Sequence, residues 1–147
     1  MRYACLLVLA TLLIVAFAAE PAAAVVQFYM VYKTEYLDKH KDKEYVATVT
    51  KAANRCFTCH QGKSRKNHNE FGKHLVKLLD RKKDLRDKEK IAASIKKVVA
   101  MHVDPKDEKS ETYLDRIKAS KWPGGELDDL KKEPPKKDDA PQDPPAN

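Results

Sequence analysis

Cysteine is scarce in this chain. There are three among 147 residues, and one of them, Cys5, sits inside an N-terminal apolar run. With that run removed, Cys56 and Cys59 are the only thiols left, which excludes a multiply cross-linked scaffold. A sustained alternation of apolar and polar residues is missing too, and so is any internal repeat, so sheet-built and solenoid architectures find no support. No base and nucleophile are grouped in the pattern that hydrolytic or transfer chemistry needs. The chain therefore reads as a non-enzyme. Finally, no proline lies between His60 and Pro105.

The N-terminus is the apolar part. Met1 and Arg2 precede an uncharged run from Tyr3 to Ala19; one small-residue pattern, Ala16-Phe17-Ala18, lies at its end and a second, Ala22-Ala23-Ala24, lies just beyond it. Residues 1–24 are expected to be a secretory signal peptide cleaved near 18 or 24. The alternative is an uncleaved anchor, because the run is nearly long enough to cross a bilayer. Both imply export, to the periplasm in a bacterium. At the other end, residues 123–147 are dominated by Lys, Asp, Glu and Pro, with prolines at 134, 135, 141, 144 and 145. Such a stretch has little to bury and is expected to be a disordered tail. Between the two, residues 25–122 form one expected domain. A core of that size is modest and gains from a rigid apolar cofactor.

What the chain does contain is Cys56-Phe57-Thr58-Cys59-His60, the Cys-x-x-Cys-His signature of covalent haem attachment. Two thiols three positions apart can each add to one vinyl group of the same porphyrin. On one turn of helix they share a side, and the adjacent imidazole reaches the iron. Periodicity predicts helices around the motif. Phe28, Tyr32 and Tyr36 recur every four residues within 25–38, and Tyr45, Val49, Ala52, Ala53 and Cys56 mark a helix running into the motif. Asn67 or Asn69 caps a helix through Phe71, Leu75, Leu78 and Leu79, in which Gly72 would let backbone approach the haem closely. Asp87 caps a helix bearing Ile91, Ile95, Val98, Val99 and His102, limited by Pro105. Ser110 caps a last one bearing Tyr113, Leu114 and Ile117. The expected fold class is all-α.

The export leader, the motif and the helical layout together resemble the small monohaem c-type cytochromes of the class I-like type, in which the motif sits early in the domain. The resemblance covers Cys56 to His60 and the helices around them. It implies that Cys56 and Cys59 hold one haem c through thioethers, that His60 is the proximal iron ligand, and that the function is electron transfer. The proline-containing loop that usually follows the motif is missing, and the usual methionine loop is not recognisable, so the sixth ligand is not carried over. Met101, at a compatible separation from His60, is the first candidate. His102, His74 and Met30 are alternatives, as is an open iron. His68 and His40 lie among charged residues and are expected to be exposed.

The net charge is +7. Lys63, Arg65 and Lys66 follow the motif, and Arg81, Lys82 and Lys83 form a second basic cluster. Beside an exposed haem edge they would steer docking onto acidic patches of redox partners, although simple solvation also accounts for them. Nucleic acid does not fit an exported chain without aromatics among its basic residues. The competing functions are a five-coordinate gas-ligand sensor or small peroxidase, an accessory haem subunit tethered by its tail, and a haem-free thiol–disulfide or zinc protein using His60 or His68.

Overall fold

The computed structural model describes residues 23–135. The expected leader, apart from its last two residues, and the stretch from 136 onward lie outside the described residues. The chain is mostly helical. Helix α1 spans Ala23–Tyr32 and continues as a π-helical turn over Lys33–Leu37; α2 is Lys43–Thr50, and a 3-10 turn covers Arg55–Thr58. Helices α3 (Glu70–Val76), α4 (Lys88–Val99), α5 (Tyr113–Lys118) and α6 (Leu127–Leu130) follow. Extended pairing among the described residues is limited to two isolated antiparallel bridges, His60 with His68 and His102 with Thr112. Among the described residues no helix is long and apolar enough to cross a membrane.

Helices α2 to α5 each start where a short polar side chain accepts from a free N–H group of the first turn, whereas α6 starts at Glu126 without a side-chain cap. The Asp42 carboxylate accepts from the N–H groups of Glu44 and Tyr45, and Asp87 accepts from Lys90 N–H. Asn69, rather than Asn67, caps α3 by accepting from Gly72 N–H. The α5 cap is Thr112, two residues beyond the expected Ser110. Thr112 and Asp115 bond reciprocally in a capping box, whereas the Ser110 hydroxyl is taken up by the Asp107 carbonyl.

The core joins α1, α3, α4 and α5. Leu37, Phe71, Ile91 and Val98 are fully buried there. Phe71 meets Tyr32 and Tyr113 edge-on, with ring centroids 6.1 and 5.4 Å apart, a favoured aromatic arrangement. His40, expected to be solvated, is half-buried at this core's edge. Its Nδ1 accepts from Asp42 N–H, so its Nε2 carries the proton donated to the Ile117 carbonyl at 2.8 Å.

Several boundaries differ from expectation: α3 ends at Val76, before Leu78 and Leu79, and α4 ends at Val99, before His102. Helix α2 stops at Thr50 instead of running to Cys56, because Lys51 turns to ψ 136° and the Asn54 amide donates back to the Thr48 carbonyl. Ala52 and Ala53 are consequently exposed; alanines match an apolar stripe without having much surface to bury. The domain also does not end at 122. Pro123 is buried and Leu130 is 3% exposed, so Pro123-Gly124-Gly125 is a turn into α6 rather than a terminus. Two leucines three residues apart, Leu127 and Leu130, give that short helix an apolar side.

Candidate functional site

The motif is delivered by a tight turn. The Cys56 carbonyl accepts from both Cys59 N–H (3.2 Å) and His60 N–H (2.9 Å), which gathers the two thiols and the imidazole around one backbone group. The thiols are free rather than joined. Buried Asn69 ties this turn to α3: its amide nitrogen donates to the Phe57 carbonyl at 2.8 Å and lies 3.3 Å from the carbonyls of Thr58 and His60. Gly72 permits a close approach, as expected of it, but the group approaching is the Cys59 carbonyl, which a β-carbon there would overlap.

His60 and His68 face each other across a short hairpin. Gln61 N–H donates to the Asn67 carbonyl (3.0 Å) and Asn69 N–H to the Cys59 carbonyl (3.1 Å). The rings lie 4.8 Å apart at 34°, near the short end of stacking distances. His68 is thus half-buried beside His60 rather than exposed. The sequence signal for this was slight: Gly62, whose φ of +69° turns the chain back. Burial, then the neighbouring His68, holds the His60 pKa below the ordinary histidine value, and burial does the same for His68. Both imidazoles are therefore neutral near pH 7, the form that ligates metals.

These residues line a cavity of about 710 Å³ between α1, the motif turn, the hairpin and α3, within the size range of cofactor pockets. Phe28, Tyr29, Leu75, Val76 and Leu79 supply apolar walls carrying Cys56, Cys59, His60 and His68. Arg55, Arg65, Lys66 and Arg81 contribute positive charge against one carboxylate, Asp80. None of the four joins an ion pair among the described residues. Three polar atoms here or next to it, His60 Nδ1, Thr58 Oγ1 and Tyr29 Oη, are buried without a partner, an uncommon and costly condition.

The other ligand candidates are elsewhere. Met101, half-buried against the core, follows α4 and does not line the cavity. His102 Nδ1 is 2.6 Å from the Ser110 carbonyl. His74 lies against the Tyr113 ring, and Met30 is 44% exposed.

Two free thiols and a neutral imidazole on the wall of an apolar cavity suit a covalently attached porphyrin. They suit two other chemistries less well. Burial, followed by the neighbouring Cys56, pushes the Cys59 thiol up to about 12, the opposite of a reactive thiolate. Among the described residues no three His, Cys, Asp or Glu side chains are gathered as a metal-ion cage. Compared with protein-family models, curated proteins and solved structures, the chain matches none of them.

Proposed function

We propose that this protein is an exported electron-transfer cytochrome of the c type, a cytochrome c-like helical domain around one haem. Cys56 and Cys59 hold the haem through thioethers and His60 is its proximal iron ligand. One observation carries the reading: the whole Cys-x-x-Cys-His set lies on the wall of a cavity that is otherwise largely apolar. When bound, the haem supplies one-electron chemistry between Fe(II) and Fe(III). The chain's own residues orient it and exclude water, through Phe28, Leu75 and Leu79. The unpaired Arg55, Arg65, Lys66 and Arg81 attract acidic patches of redox partners.

A second reading is favoured by the positions of the expected sixth ligands. Met101, His102, His74 and Met30 lie off the cavity lining, and His68 stands on His60's own side. With these residues off the lining, a bound haem would leave its iron accessible to small gaseous ligands.

The test is expression of the full chain in a host that matures c-type haem. The wild type is expected to show Soret and α bands and a haem stain that survives denaturation. Cys56→Ser combined with Cys59→Ser is expected to lose the stain completely. A wild type without covalent haem would sink the proposal. Rapid carbon monoxide binding by the reduced protein at neutral pH would select the second reading over the carrier.

A further inference from the structure

A ligating histidine is normally held by a hydrogen bond from its second ring nitrogen. The His60 Nδ1 is buried and unpartnered, and the polar group that bears on the ring is the Asn67 backbone of the facing hairpin strand. What orients the residue is backbone, namely the hairpin pairing of residues 59–61 with 67–69 and the stacking of the His68 ring. That hairpin is in turn gripped from outside. Gly62 N–H donates to the Leu130 carbonyl at 2.8 Å. The Glu133 carboxylate spans the loop, accepting from Lys63 N–H on Oε1 at 2.8 Å and from the Asn67 amide on Oε2 at 3.0 Å. Gly62 makes room for this seat, since a β-carbon there would overlap the Glu133 carboxylate. Hydrogen bonds to an ionised acceptor are stronger than neutral ones, and buried Leu130 anchors the segment that presents Glu133.

We propose that Glu133 is a positioning residue for His60, clasping the hairpin that carries it from some 70 residues away. The inference rests on the haem reading above. It also gives the C-terminal segment a task at the site: it steadies the hairpin that carries His60.

The experiment compares haem-loaded full-length wild type with Glu133→Ala, Glu133→Gln and Asp128→Ala. Asp128 removes a negative charge from the same segment, and its carboxylate reaches only Lys131 among the described residues. Amide exchange at Lys63 and Gly62, the reduction potential and the NMR signals of the His60 ring are the readouts. Glu133→Ala is expected to speed exchange at Lys63 about tenfold and to move both the potential and the ring signals. Glu133→Gln keeps an acceptor for Lys63 N–H and is expected to recover most of both; Asp128→Ala is expected to leave them in place. Unchanged exchange in Glu133→Ala would overturn the proposal, and so would an equal potential shift in Asp128→Ala, which would reduce the effect to charge. Faster exchange with unmoved ring signals would overturn it as well. If Glu133→Ala does not fold, Glu133→Ser, polar but too short to span from Lys63 N–H to the Asn67 amide, takes its place in the same comparison with the same expected changes. A wild type without a Soret band defeats the haem reading instead, while exchange at Lys63 still reports whether Glu133 holds the loop.

Discussion

The helical core and the motif region are held by different physics. In the core, Tyr32, Phe71, Ile91 and Tyr113 are at most 2% exposed and rely on burial, which is non-directional and shared among many neighbours. Residues 51–69 contain nothing longer than a four-residue 3-10 turn and rely on single polar side chains: Asn54, Asn69 and Glu133. A core of the first kind fixes the overall stability. A region of the second kind fixes the placement of a few atoms. The boundary between them runs through α3, where buried Phe71 belongs to the core and its neighbour Gly72 to the motif.

Adjacent substitutions at that boundary separate the two. Phe71→Ala empties the centre of the aromatic contacts and is expected to cost about 3–5 kcal/mol, a large part of a small domain's stability. Denaturant unfolding of the apoprotein measures it, and a loss below about 1 kcal/mol would mean that the core is not centred here. Gly72→Ala should act on the other region. Alanine favours a helix by about 1 kcal/mol over glycine, yet its methyl meets the Cys59 carbonyl, and relieving such an overlap costs roughly 1–3 kcal/mol. A net fall in stability with altered amide shifts at Cys59 and Asn69 is expected. A more stable variant would show that the contact yields easily.

The same division explains what was legible beforehand. The all-α class, the faces of α3, α4 and α5 and the caps Asp87 and Asn69 follow from local sequence, because periodicity and capping are short-range. The trio Cys56, Cys59 and His60 was legible as a motif. Its surroundings were not. His68 is half-buried because a backbone-paired hairpin brings it to His60, and that hairpin also bonds to Glu133, which lies in the charge-rich C-terminal stretch. A charge-rich stretch looks solvated until a backbone N–H elsewhere needs its carboxylate. Helix α2 was overextended for the converse reason: Ala52 and Ala53 match a stripe but do not drive burial. Met101 lies at a compatible separation along the chain and His102 on the apolar stripe of the sequence, but the turn after α4 directs them toward α5, away from the cavity.

The smallest expected effect lies far from the motif, at the N-terminus of α5. Thr112→Ala removes one half of the capping box and is expected to cost about 1 kcal/mol at pH 7. Its dependence on pH is the informative part. The Thr112 hydroxyl, then its backbone N–H, holds the Asp115 carboxyl below the ordinary carboxylate value. A lowered folded-state pKa contributes stability that is fully present above the unfolded value, about 3.9, and is lost as pH falls through the folded value. The difference between wild type and Thr112→Ala should therefore shrink between pH 5 and pH 2, to what the bond from Asp115 N–H to the hydroxyl (3.1 Å) still supplies. Thermal melts across that range measure it; a difference that stays constant would mean that the carboxylate takes no part in the cap. Amide shifts at Cys59 and His60 should stay unchanged throughout. If they move with Thr112, the motif region is not independent of the helical core, and the boundary drawn at α3 is in the wrong place.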